Sequence, residues 1–269
     1  MKLAVSNIAW DPEEEDAVLE LLRRNGVAGI EIAPTKLWPG WQGADPGAAA
    51  VTGKQYLSQG FEIPALQAIL FDKPELGVFS EPGVQADLIA HLDGVAGLAE
   101  AMGANVMVFG SPKNRDPGER SPAQAFAEAT GFFQRAGAAC HRHGVCLCIE
   151  PNPEIYHCRF LTRWREVLDM VNAVAHPGVG IHLDTACIHL EGDSVEEAIH
   201  TCAGRIAHFH VTEPELSDLG NPVIDHAAVG RALRDTGYQG WLSIEMRRTS
   251  HPLESIEASV QHVLECYLD

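Results

Sequence analysis

The chain has 269 residues, enough for one α/β barrel or two small domains with a large buried core. Acidic residues outnumber basic ones 37 to 19, and the resulting net charge of −18 repels polyanions and argues against nucleic acid as a partner. Seven cysteines without a Cys-x-x-Cys pair fit a reduced cytoplasm better than a disulfide scaffold or a structural zinc site. The N-terminus turns acidic too early for a signal peptide, and no apolar run approaches the roughly 18 residues of a membrane helix, so a membrane is not an expected partner.

The first apolar run, LAVSN at 3–7, reads as a strand. Pro12 then opens a helix with Ala17, Val18, Leu21 and Leu22 on one face and a stop at Asn25-Gly26. AGIEIA (28–33) is the second strand, followed by a glycine-rich loop through WPGWQGADPG and a helix over 47–59. ALQAILF (65–71) is the third, with a helix at 84–102 ending at Gly103. NVMVFG (105–110) precedes a helix that Ser121 caps and that runs to His143. VCLCIE (145–150), VGIHLD (179–184), IAHFHV (206–211) and WLSIEM (241–246) complete the strands, with helices over 162–174, 194–203, 225–236 and 252–267. Eight strand–helix pairs predict an α/β fold, a single (β/α)8 barrel over 1–269 with its active site at the C-terminal ends of the strands. Near-continuous apolar runs suit strands covered on both faces, and no glycine-rich phosphate loop supports an open doubly wound sheet.

Four consecutive strands deliver a ligand-type side chain to that rim. Strand five ends on Glu150, strand six on Asp184, strand seven carries His210 and strand eight carries Glu245. Pro151-Asn152-Pro153 stiffens the exit from Glu150. Three carboxylates and one imidazole make a mostly oxygen site suited to one divalent ion, Mn2+ first, with Mg2+ or Co2+ as alternatives.

At these residues the sequence resembles the xylose isomerase-like barrel superfamily of sugar isomerases and epimerases, nearest its ketose 3-epimerase branch. The carriers are IEPNP around Glu150, HLDTACIHLEGD around Asp184, HFHVTEP around His210 and SIEM around Glu245. The resemblance implies that Glu150, Asp184, His210 and Glu245 bind one cation and that Glu150 and Glu245 are the catalytic acid and base. That branch has a histidine, an arginine and a glutamate on substrate hydroxyls where this chain has Cys187, Leu216 and Tyr156. A metal that polarises a ketose carbonyl makes the neighbouring carbon-bound proton removable, and two carboxylates can take and return it. The expected activity is therefore a metal-dependent isomerase or epimerase of a sugar or sugar derivative. The rivals are a lyase or dehydratase on a keto-sugar or keto-inositol, a related metal-dependent DNA-repair endonuclease, and a non-catalytic sugar binder.

Further residues are candidates for contacting substrate. Lys113 and Arg115 follow strand four and Arg247 and Arg248 follow Glu245, so an anionic sugar derivative is one expectation. Trp10, Glu31 and Gln67 lie on or after strands one to three, Tyr156 and Cys187 follow strands five and six, and Glu213 follows His210. Trp38 and Trp41 mark a candidate lid. His182 and His208 precede the proposed ligands by two residues, face the same way but deeper, and are expected to hydrogen-bond rather than ligate. His189 and Asp225-His226 could supply ligands for further metals. A homo-oligomer is left open.

Overall fold

A computed structural model describes residues 1–268. Eight parallel strands run β1 Lys2–Ser6, β2 Gly29–Glu31, β3 Ala65–Leu66, β4 Val106–Phe109, β5 Cys146–Ile149, β6 Val179–Asp184, β7 Ile206–Val211 and β8 Trp241–Ile244. They hydrogen-bond in the order β2-β1-β8-β7-β6-β5-β4-β3. The ring closes between β2 and β3 through Ile30 N–H to Glu62 O at 2.9 Å, Ile32 N–H to Ala65 O at 3.1 Å and Gln67 N–H to Ile32 O at 2.9 Å. The fold is the TIM barrel that the strand–helix alternation predicts.

The helices are α1 Glu15–Arg24, α2 Pro34–Leu37, α3 Pro46–Ser58, α4 Pro82–Met102, α5 Pro122–His141, α6 Trp164–Val174, α7 Thr185–Leu190, α8 Val195–Thr201, α9 His226–Asp235 and α10 Pro252–Val263. Their boundaries follow local chemistry. Ser121 caps α5 by accepting the Gln124 N–H, Ser194 caps α8, and Gly103 ends α4 in the left-handed conformation that glycine tolerates. Two short helices, α2 and α7, were not expected from the sequence. The final helix stops at Val263 and widens into a π-type turn over Leu264–Leu268. β3 is two residues long rather than the seven of its apolar run, because Ala68 turns left-handed at φ 51 and takes the chain out of the sheet.

Strand alternation sorts the residues into two cores. Leu147, Ile149, Ile181, Leu183, Phe209, Val211, Leu242 and Ile244 face outward into the helices. The barrel interior holds a small apolar cluster of Ala65, Val106, Val108 and Cys148, beside buried Glu31, His182, His208 and Ser243. This polar band lies directly beneath the rim residues.

Candidate metal centre

The side chain at the middle of the rim is His210, whose Nδ1 lies 3.8 Å from Glu150 Oε1, 3.7 Å from Asp184 Oδ2 and 3.2 Å from Glu245 Oε2. Three of the four ligand candidates are each held by their other atom. His210 Nε2 meets Glu31 Oε1 at 2.9 Å, which puts the proton on Nε2 and leaves Nδ1 facing the carboxylates. Asp184 Oδ1 accepts from the Cys187 N–H and the Thr212 hydroxyl, both at 2.7 Å, so Oδ2 is free; the first of these bonds also caps α7. Glu150 Oε2 accepts from Asn152 Nδ2 at 2.7 Å, leaving Oε1 toward His210. Gly110 at the end of β4 makes room for that carboxylate, since a Cβ there would stand 2.2 Å from Glu150 Oε2.

Electrostatics favour a cation at this point. Burial, then the neighbouring Asp184 and Glu245 carboxylates, push Glu150 up to about 8, and burial also raises Asp184. Burial opposes charge on His210, but Glu31 and Glu245 outweigh it and raise this imidazole well above its ordinary value. Glu31 is pushed up by burial, yet the His210 and His208 rings hold it well below the usual carboxylate range. His210 Nδ1 is buried without a hydrogen-bond partner. Buried carboxylates crowded against one another and an imidazole nitrogen without a hydrogen-bond partner are what a divalent ion would relieve, so the residues fit one.

Two cavity lobes open on this cluster and share Glu150, Tyr156 and Glu245. One, of about 510 Å³, is lined by Gln67, Phe71, Lys113, Asn114 and His210 among others. The other, of about 430 Å³, is lined by Asp184, Cys187, Glu213, Leu216 and Arg247. Tyr156 stands between them, its hydroxyl accepting from the Glu215 N–H at 3.0 Å. Gln67 donates from Nε2 to Ser6 Oγ. Lys113 is exposed and has no carboxylate partner among the described residues, whereas Arg247 is 4.0 Å from Glu215. Cys187 is buried, and burial raises its thiol well above the usual range, so it lines the cavity as an uncharged group.

Other candidates stand away from both lobes or are tied up in contacts of their own. Trp10 is buried with its indole N–H on Glu15 Oε2 at 2.8 Å and borders a separate cleft with Lys36 and Pro39. Glu31 has no exposed surface and works from below, through His208 and His210. Arg115 is fully buried, donating from Nη1 to the Glu150 carbonyl at 2.8 Å, and so fixes the strand end rather than facing the cavity. Arg248 pairs with Glu14 and Asp11. Trp41 donates to the Phe71 carbonyl at 2.8 Å and, like Trp38, lines neither lobe. Glu213 lines its lobe but is tied to the Val223 and Ile224 N–H groups and to His226, which itself meets Tyr267. Among the described residues, neither His189 nor His226 belongs to a metal-capable group. Sequence reasoning passed over Asn152, Thr212 and Gly110. The first two sit two residues beyond a proposed ligand, a spacing that could have marked them.

Over residues 19–266 the chain matches the family described as xylose isomerase-like TIM barrel. It is 35% identical over 118 residues to D-psicose 3-epimerase from Ruminiclostridium cellulolyticum, covering 44% of this chain and 39% of that enzyme, so the alignment spans well under two thirds of the relative. A crystal structure of D-psicose 3-epimerase with D-tagatose from Clostridium cellulolyticum H10 superposes with a TM-score of 0.82 at 16% identity, over 99% of both chains. The IOLI protein with a bound zinc atom superposes with a TM-score of 0.77 at 19% identity, over 99% of both chains. These two likenesses speak to the fold. With most of its length matched and its eight-stranded barrel in place, the chain belongs to the xylose isomerase-like TIM barrel family.

Proposed function

We propose that the protein is a divalent-metal-dependent epimerase or isomerase of a ketose or keto-sugar derivative. The observation that carries this reading is the pair Glu150 and Glu245, which flank His210 Nδ1 and line both cavity lobes. Glu150, Asp184, His210 and Glu245 would hold the ion, with Mn2+ as the first choice and Mg2+ or Co2+ as alternatives for a carboxylate-rich set. The ion would supply Lewis acidity to a chelated carbonyl and hydroxyl, worth several kcal/mol toward removing the adjacent carbon-bound proton.

The chain's own residues do the rest. Glu245 is pinned by no hydrogen bond besides its approach to His210, so it can turn to take a proton. Glu150, held by Asn152 on one oxygen, keeps the other for returning a proton. Delivery to the opposite face of the same carbon inverts it, and delivery to its neighbour isomerises the sugar. The second lobe is lined by Tyr156, Cys187 and Leu216 at the three positions where the resembled branch has charged or basic groups on substrate hydroxyls, which favours a sugar derivative there. Sequence likeness to an enzyme named D-psicose 3-epimerase supports the same class.

The test is incubation of metal-loaded protein with a panel of ketoses and keto-sugar derivatives in D2O. Carbon-bound deuterium with inverted or rearranged product is expected. Loss of water from the substrate would move the assignment to a dehydratase, and tight binding without any exchange would make the protein a binder.

A further inference from the structure

His182 on β6 has no exposed surface, and both its ring nitrogens lack a hydrogen-bond partner. A buried imidazole normally satisfies at least one nitrogen, because a ring nitrogen left unpaired has lost its hydration with nothing in exchange. Its counterpart His208 shows the ordinary solution, meeting Glu31 at 3.1 Å. His182 instead points Nε2 at the rim, 3.5 Å from Glu150 Oε1, with its ring edge-on to His210 at a centroid distance of 4.2 Å. Single donor atoms of Glu150, His182, Asp184 and His210 all lie within 4.8 Å of one another, a group that does not include Glu245.

We propose that His182 is an additional metal ligand that closes the coordination sphere from inside the barrel. This rests on the metal-site reading above and changes its composition. The firm ligands become two carboxylates and two imidazoles, Glu150, Asp184, His182 and His210. Glu245, unpinned, is then a weaker ligand able to leave the ion for proton transfer. Two nitrogen donors also move the site's preference from Mg2+ toward Co2+ and Zn2+.

The experiment counts nitrogens on the metal. Protein labelled with 15N-histidine is loaded with one equivalent of Cu2+, and electron–nuclear double resonance reads the strongly coupled nitrogens. Two imidazoles are expected in the wild type and in His208→Gln, and one in His182→Gln. Co2+ affinity should fall at least tenfold in His182→Gln, with Mg2+ affinity changed less. A single coupled nitrogen in the wild type overturns the proposal while leaving the epimerase reading intact. If His182→Gln does not fold, the wild-type count together with the His208→Gln count still decides. Failure of any metal to bind stoichiometrically would instead remove the metal site on which both readings stand.

Discussion

Glu245 and Asp184 are both carboxylates beside His210, but their surroundings give them different freedom. Asp184 has one oxygen fixed by two hydrogen bonds, whereas Glu245 meets only the imidazole. Glu245→Gln should therefore abolish turnover, lowering kcat at least a thousandfold, while reducing metal affinity by about tenfold, or ~1.4 kcal/mol. Steady-state kinetics beside calorimetric metal titration checks the split, and wild-type turnover would refute the role. Glu150 leads to a pH prediction. Its carboxyl is raised to about 8 by burial and its carboxylate neighbours, so below that pH an incoming cation must displace a proton. Metal affinity should rise as pH is raised toward about 8, by roughly tenfold per unit for each proton released. Binding heats measured in buffers of different ionisation enthalpy count the protons directly. Site residues that end a strand were legible in the sequence because strand ends converge on one rim. Asn152, Thr212 and the buried role of Glu31 were not, since each depends on which atom of a ligand is already occupied.

Between elements, the close approach of β4 to β5 shapes the site. The Cβ of Gly110→Ala would press on the Glu150 carboxylate, the movable end of a side chain, so the fold should survive while the ligand is displaced. We expect metal affinity to drop tenfold or more with the melting temperature nearly unchanged, read by metal titration and thermal denaturation. The outer helices answer to packing instead. Leu21 on α1 is buried, so Leu21→Ala should cost about 2–5 kcal/mol in denaturant unfolding without altering metal affinity in the folded protein. Helices with an amphipathic face and a capping residue were located in the sequence to within a few positions. α7 was missed because its cap is Asp184, a residue that the strand pattern assigns to β6 and to the site. β3 was overestimated because its apolar run continues past Ala68 into the cavity wall, where Leu70 and Phe71 line the lobe rather than the sheet.

Across the whole molecule, a net charge of −18 and a buried carboxylate cluster both disfavour the metal-free fold. An ion bound only to the folded state at a hundred times its Kd adds about 2.7 kcal/mol, and each kcal/mol moves the melting temperature of a chain near this size by about 2–4 °C. Chelation should therefore lower the melting temperature by about 5–10 °C, and restoring the ion should reverse the shift. An unchanged melting curve would show that the cluster binds no ion tightly. Among the described helices none is long and apolar enough to cross a membrane.

The sequence by itself determined the barrel, because eight apolar runs separated by amphipathic segments have few other ways to bury both faces of every strand. It also determined that Glu150, Asp184, His210 and Glu245 share a rim, since that follows from chain direction alone. Tertiary structure decided what lies under the rim: Glu31 behind His210, His182 beneath Glu150 and Gly110 beside it. Those pairings depend on the register and tilt of strands distant in the chain, which fix distances to fractions of an ångström that no spacing along the sequence encodes.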